Sequence, residues 1–126
     1  MKYAIKTMNQ YVGHNGHLKL YDNAEDACQA AKDAAETIRF ILSAKDCKPY
    51  AVDMRMEPFE GDPTIKTPNI IINEMNLDGT VYTSVDMVRV VDGERAAKRL
   101  KEEAQMHERA TEQFEKLMRQ AQKNWH

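Results

Sequence analysis

Hydrophobic and polar residues alternate strictly between Lys48 and Glu57, and this alternation predicts a β-strand. Successive side chains of a strand point to opposite faces, so one face of this segment is apolar. The apolar positions are Tyr50, Val52, Met54 and Met56. Residues 58–68 follow and contain three of the four prolines, which predicts a loop. We therefore expect a half-buried strand that leads into the longest irregular stretch of the chain.

Two further apolar runs, 69–75 and 80–91, predict a second pair of strands. The dipeptide Asp78-Gly79 between them is typical of a two-residue hairpin turn. Such a turn places Ile70 and Ile72 on the same face as Val85 and Met87. Because both faces of this hairpin are partly apolar, we expect a sheet that is covered on both sides or paired with a second copy.

The segment from Tyr11 to Tyr21 contains Asn15-Gly16, a strong hairpin signal because type I′ turns need positive φ at both central positions. A two-residue turn pairs His14 with His17 and places both on the more polar face. The opposite face is predicted to carry Tyr11, Leu18 and Leu20, with Tyr3 and Ile5 if the strand is unbroken. We do not expect a metal site, since no cysteine or carboxylate in the hairpin adds the ligands that zinc needs.

Residues 22–25, Asp-Asn-Ala-Glu, have the form of a capping box with Asp22 or Asn23 as N-cap. A helix to about Ala44 is predicted to follow, since apolar residues recur at helical spacing. The first half of this apolar stripe is almost entirely alanine. Small side chains allow close approach to a sheet, so we interpret this segment as a packing helix.

No proline or glycine follows Gly93, which predicts a helix on the order of 50 Å long at 1.5 Å per residue. A domain of this size is roughly 30 Å across, so such a helix exposes its far end or buries it against another chain. Apolar residues recur along it at alternating spacings of three and four, a heptad seam typical of coiled coils. We therefore predict self-association through the seam residues Leu100, Ala104, His107, Phe114, Met118 and Trp125. The alternative is a helix that folds back over its own sheet.

These elements predict an α+β fold of antiparallel hairpins with one packing helix and a long C-terminal helix. Residues 1–92 are expected to form the α+β domain, in the order β-β-α-β-β-β, and residues 93–126 the oligomerisation helix. The net charge of −2 lacks the basic excess of nucleic-acid-binding proteins. The N-terminus has no apolar run, no membrane-spanning segment is evident, and there are two cysteines. We therefore expect a cytoplasmic protein, with neither membrane nor nucleic acid as partner.

Catalytic signatures are not evident in the sequence. The five glycines are isolated, so no phosphate-binding loop is predicted, and no Ser-His-Asp or Cys-His arrangement is suggested. We expect no enzyme activity, no cofactor and no catalytic residue. The residues that we expect to contact a partner lie at the hairpin tip and in the proline-rich segment: His14, His17, Lys19, Phe59, Glu60, Asp62 and Lys66.

The opening run KYAIKTMNQYVGHNGHLKLYDNAEDACQAAKDA resembles the N-termini of small accessory proteins encoded by tailed bacteriophages. Many of these begin with a Lys-Tyr-x-Ile-Lys strand, a hairpin and an alanine-rich helix. The resemblance covers about 35 residues and implies a non-catalytic inhibitor or modulator of host machinery, including defence systems, in the host cytoplasm. It transfers no functional residue to this chain.

Two functions follow as hypotheses. The first is a non-enzymatic binding protein that occupies a host protein. The second is an oligomeric sponge that sequesters a small anionic ligand, such as a nucleotide signal, between neighbouring helices. Guanidinium groups suit phosphate, and the candidates are Arg95, Arg99, Arg109 and Arg119. Glutamates interleave with these arginines and can pair with them locally instead.

Overall fold

Six strands and two helices are found in the described part of the protein, residues 1–14 and 17–124 of a computed structural model. The strands are β1 (Tyr3–Thr7), β2 (Gly13–His14), β3 (His17–Leu18), β4 (Tyr50–Phe59), β5 (Asp62–Met75) and β6 (Val81–Asp92). The helices are α1 (Ala24–Asp46) and α2 (Gly93–Lys123). One antiparallel sheet has the strand order β1-β6-β5-β4, and β2 pairs with β3. The predicted α+β fold is confirmed.

Helix α1 begins where the sequence predicted it. The Asn23 side chain accepts a hydrogen bond of 2.8 Å from the backbone N–H of Asp26, which satisfies one of the free donors of the first turn. Ala27, Ala31 and Ala35 are buried at a spacing of four residues. With only a methyl group at each position, the helix axis lies close to the strands beneath it.

The main core lies between α1 and one face of the sheet. Strands β1, β6 and β5 contribute alternate residues to it, because their registers align one face of each strand. Its buried members besides the α1 alanines are Tyr3, Ile5, Phe59, Ile70, Ile72, Val88 and Val90. Burial of these side chains is the main favourable contribution to folding.

The opposite face of the sheet is partly covered by a smaller cluster. Ala4, Val91 and Ala96 are buried there, and Tyr11 and Leu18 pack against them. The hairpin therefore covers this face with Tyr11 and Leu18 of its predicted apolar side, whereas Leu20, also predicted there, is 40% exposed.

Tyr3 and Ile5 do not join that apolar side, so this part of the prediction is wrong. The chain turns after β1, where the backbone N–H of Thr7 donates to the carbonyl of Gln10 at 2.8 Å. The strand that was predicted to be unbroken is interrupted by this turn. The side-chain alternation of β1 therefore does not continue into the segment that begins at Tyr11. Both residues lie in the main core under α1.

The register of β5 with β6 differs from the predicted two-residue turn. The N–H of Asn76 donates to the carbonyl of Thr80, and Gly79 adopts φ of 88°, so the loop has three residues. Two irregularities then shift the register along the ladder. As a result Ile70 pairs with Val88, while Met87 pairs with Ile71 on the other face.

Residues 58–68 are not a loop, because β4 and β5 extend into them and form a long hairpin. The prolines are tolerated for local reasons. Pro58 lies in a strand at the edge of the sheet, where a missing N–H costs little. Pro68 precedes Asn69, the residue at which β5 begins to pair with β6.

Helix α2 starts at Gly93, next to Asp92, whose Oδ1 accepts hydrogen bonds from the N–H groups of Glu94 and Arg95. The chain divides into two compact units, Met1–Ala96 and Ala97–His126. The boundary lies one helical turn beyond the predicted position at 92/93, because Gly93 and Ala96 are buried in the first unit.

The alanine face of α1 gives a test of the fold. We expect Ala31→Leu to lower the free energy of unfolding by about 1–3 kcal/mol, since the added atoms have no space between helix and sheet. Urea denaturation followed by circular dichroism measures the change. The matched control is Ala44→Leu on the exposed part of the same helix, which should change stability by less than about 0.5 kcal/mol. Equal effects at the two positions would contradict the packing described.

Candidate functional site

Among residues 1–14 and 17–124, no three His, Cys, Asp or Glu side chains lie together as a metal site would require. Burial raises the pKa of the Cys28 thiol, which disfavours the thiolate that a nucleophile needs. None of the described helices is long and apolar enough to cross a membrane.

Two aspartates with lowered pKa values have structural partners close by. Asp62 accepts hydrogen bonds from the side chain and backbone of Thr64, and these bonds hold the pKa of its carboxyl below the usual range. Asp78 is bonded in the same way by Thr80. Each pair stabilises the turn at one end of β5. Asp62, a predicted contact residue, therefore has one carboxylate oxygen, Oδ1, bonded within its own turn.

The start of β4 is tied to α1 and to β5 by polar contacts. The Tyr50 hydroxyl donates a 2.6 Å hydrogen bond to Asp46, which raises the pKa of Tyr50 to about 12. Lys48 forms a 3.1 Å ion pair with the mostly buried Glu74, which raises the pKa of Lys48. These contacts orient the first residues of β4.

The hairpin tip has the predicted pairing, with His14 opposite His17. Asn15 and Gly16, the predicted turn residues, lie outside the described residues. His17 and Lys19 are exposed, and the Lys19 ammonium lies 5.6 Å from the Tyr21 ring centroid. His17 and Lys19 are therefore accessible to a partner.

Phe59 is 1% exposed and lies in the main core, with its ring centroid 5.1 Å from that of Tyr3. It is not available to a partner, and its selection as a contact residue was wrong. Phe59 falls on the polar side of the alternation in β4, and it reaches the core because the register of β4 with β5 shifts between Pro58 and Phe59. The alternation therefore gave no signal of its burial. Glu60 is exposed, but its Oε1 accepts a hydrogen bond from the backbone N–H of Asp92. Lys66, the remaining predicted contact residue between positions 58 and 68, is exposed.

A cleft of about 50 Å³ lies on the sheet face opposite α1, lined in part by Glu57, Asn69 and Arg89. Asn69 donates to Glu57 at 3.2 Å, and its buried Oδ1 has no hydrogen-bond partner. Arg89 is the direct cross-strand neighbour of Asn69, so a rotation of its side chain can supply the missing donor. The cleft is far below the 300–1,000 Å³ typical of small-molecule sites.

The second unit is an exposed amphipathic helix. Every residue from 101 to 124 is exposed, including Phe114 at 63% and Met118 at 49%. Both belong to the predicted heptad seam, whereas Trp125 lies outside the described residues. Large apolar side chains this exposed on one helix face are typical of a binding surface.

The candidate arginines lie away from that seam. With Leu100, His107 and Phe114 at heptad position d, Arg95 and Arg109 fall at f, and Arg99 and Arg119 at c and b. These positions face away from a helix packed on the seam. Arg99 also lies 3.9 Å from Glu103 on its own helix. Helix pairing through the seam therefore does not bring these arginines together around a ligand.

The free edge of β4 is a surface that the sequence analysis missed. Among the described residues β4 pairs with β5 alone, and its apolar side chains Val52, Met54 and Met56 are 36%, 46% and 48% exposed. The sequence signal was present in the alternation of apolar and charged residues. Whether β4 lies at an edge of the sheet, however, depends on which strands pair with it, and the alternation pattern does not predict the pairing.

Comparison with protein-family models, with curated proteins and with solved structures gave no match.

The two interpretations of Phe59 can be separated by mutation. We expect Phe59→Ala to lower the free energy of unfolding by about 3–5 kcal/mol, because it leaves a cavity in the core. Thermal and urea denaturation measure this. The control Lys66→Ala, an exposed position in the same hairpin, should change stability by less than about 0.5 kcal/mol. A Phe59→Ala chain as stable as the parent would return Phe59 to the list of surface contacts.

Proposed function

We propose that this chain is a non-enzymatic binding protein that works as a self-associated assembly, with α2 as the assembly helix. The observation that supports this is the exposure of Phe114 and Met118 along the seam of an otherwise polar helix. Solvent contact with such side chains is unfavourable by roughly 1.5–3 kcal/mol for each compared with burial. A second copy of the same helix removes both from water.

The seam residues favour an antiparallel pair of α2 helices. If His107 faces Thr111 of the partner subunit, then Leu100 faces the partner's Met118. In the same register Ala104 faces the partner's Phe114, so a large side chain meets a small one. A parallel pair instead stacks like on like, with Phe114 on Phe114 and Ala104 on Ala104, and fills the interface unevenly.

Charged residues beside the seam also favour an antiparallel pair of α2 helices. A parallel pair places Glu103 opposite Glu108 of the partner subunit, and twofold symmetry repeats this repulsion. The antiparallel register places Lys101 opposite the partner's Glu115, also twice, with one contact between the two Glu108 residues at the centre. Two attractions and one repulsion are more favourable than two repulsions, although each exposed pair contributes less than about 1 kcal/mol.

The target of the assembly is proposed to be another protein. The resemblance of the N-terminal segment to phage accessory proteins supports a host protein in this role. The exposed side chains of His17, Lys19 and Lys66 are the predicted contact residues that remain accessible. For the rival anionic-ligand function, the outward positions of the arginines on α2 are unfavourable.

Assembly through α2 can be tested by charge substitution on the seam. We expect Phe114→Glu with Met118→Glu to raise the dissociation constant of the assembly at least about 100-fold, since four apolar side chains lose their burial in a pair. Native mass spectrometry and analytical ultracentrifugation measure the change. The matched control is Met106→Glu with Gln113→Glu at outward positions of the same helix, which should leave assembly unchanged. A parent chain that stays monomeric, or a control as damaging as the seam variant, would refute the proposal.

The rival function has its own test. We expect nucleotides added at millimolar concentration to leave the melting temperature of the protein unchanged within about 1 °C. A ligand of the folded state stabilises it by RT ln(1 + [L]/Kd), so a sequestered nucleotide would raise the melting temperature by several degrees. If it does, the change should disappear in Arg95→Ala with Arg99→Ala, and the sponge would replace the protein-binding proposal.

A further inference from the structure

In the described part of the chain, no strand pairs with the outer side of β4 at the edge of the sheet. The other edge is different, because β1 exchanges two backbone hydrogen bonds with Tyr21, of 2.9 and 2.8 Å between Tyr3 and Tyr21. An unpaired strand ten residues long with an apolar face is a template for a further strand. The question is which strand fits it.

The direction of the free hydrogen-bonding groups follows from one bond. The N–H of Met75 donates to the carbonyl of Pro49 at 2.9 Å, so residue 49 turns its backbone groups towards β5. Backbone groups alternate sides along a strand, so odd-numbered residues of β4 face β5 and even-numbered residues face outward. The free N–H groups are therefore those of Tyr50, Val52, Met54 and Met56, and Pro58 contributes a carbonyl only.

Side chains follow the same alternation. The outward-bonding residues Val52, Met54 and Met56 place their side chains on the α1 side of the sheet, and all three are partly exposed. Asp53 and Arg55 place theirs on the opposite side, where each is more than half exposed. The two charges form an ion pair of 3.9 Å on their own strand, and it is their exposure that keeps both accessible to a neighbour.

The residues of β4 match those of a second β4 strand that runs antiparallel to it. With Met54 opposite Met54 of the partner subunit, both are outward-bonding residues, so they exchange two backbone hydrogen bonds. Asp53 then lies opposite the partner's Arg55, and twofold symmetry repeats this pair. Val52 lies opposite the partner's Met56 on the apolar face. Hydrogen bonds, charges and apolar side chains are matched by one register.

Neighbouring registers do not share this match. A shift that centres the pair on Asp53 places two aspartates face to face. A shift that centres it on Arg55 places two arginines face to face and sets Asp53 opposite the partner's Glu57. Like charges directly opposite one another destabilise a pair of strands. A register centred on Met56 restores opposite charges but leaves the first three residues of β4 unpaired.

We propose that the free edge of β4 binds β4 of a second copy in antiparallel register centred on Met54, which joins two sheets into one continuous sheet. This interface is separate from the seam of α2 and rests on a different observation. It removes the free backbone groups of the edge from water and covers the exposed methionines of both copies.

A cysteine scan tests the register directly. In the full chain with Cys28→Ala and Cys47→Ser, a single cysteine replaces Val52, Met54 or Met56. Directly opposed residues in a bonded pair have Cα atoms about 5.5 Å apart, within the range of a disulfide, whereas the two copies of residue 52 or 56 are separated by roughly 14 Å. Under mild oxidation with diamide, we expect Met54→Cys to form disulfide-linked dimers at least about tenfold faster than the other two. Equal rates, or no linked dimer in any variant, would overturn the proposal.

A charge-exchange series tests complementarity without oxidation. The background carries Phe114→Glu and Met118→Glu, so that α2 does not hold the copies together. We expect Asp53→Arg and Arg55→Asp, each alone, to raise the dimer dissociation constant about tenfold, since each replaces two attractions with two repulsions. The double exchange should restore the parent value, because it reverses both signs and keeps them opposed.

Two other outcomes of the charge-exchange series would contradict the proposal. A double exchange as weak as the single variants would refute the register centred on Met54. A parent that is monomeric in this background would refute self-pairing and leave the edge for a strand of another protein. The three exchanged chains change only exposed side chains. At protein concentrations well below the dimer dissociation constant, where every chain is monomeric, we expect their circular dichroism and melting temperature to equal those of the parent, which checks that they remain folded.

Discussion

The contact between the alanine face of α1 and the sheet sets the geometry of the first unit. Ala27, Ala31 and Ala35 are almost completely buried, and they allow the helix to lie directly on the four-stranded sheet. Larger residues at these positions would hold the helix away from the strands and leave space that no side chain fills. The sheet supplies the larger core residues, Ile5, Ile72 and Val88 among them. The small side chains of the helix therefore pack against the large side chains of the sheet.

The outer strand is left partly uncovered. Helix α1 contacts β4 as well as the other three strands, and Asp46 of α1 accepts a hydrogen bond from Tyr50 at the start of β4. Further along β4, however, Val52, Met54 and Met56 remain partly exposed. The first edge of the sheet is closed by backbone bonds to Tyr21, and the second, at β4, is open as far as the described residues extend. The exposed apolar surface of β4 therefore lies where the core of the first unit ends.

The polar groups of the first unit serve mainly its own structure. Asp62 and Asp78 stabilise turns, Glu60 and Asp92 bond to backbone N–H groups, and Tyr50 bonds to α1. Several of these residues have shifted pKa values or lie near a cleft, features that also occur in active sites. Here each shift has a local hydrogen bond or ion pair as its cause. Exposed apolar surface, by contrast, lies on α2 and on β4.

Local patterns in the sequence determined the elements of this protein but not their neighbours. The α1 cap at Asn23, the β4 strand and the long α2 helix follow from capping, period-two alternation and the lack of glycine or proline, which act over a few residues. The burial of Phe59, the three-residue loop at Gly79 and the edge position of β4 depended on tertiary structure. Strand order and bulges are decided by contacts between residues far apart in the chain, and these leave no periodic signal. The same reason applies to the proposed surfaces. The heptad seam of α2 is visible in the sequence, whereas the edge position of β4 follows from the strand order of the described residues.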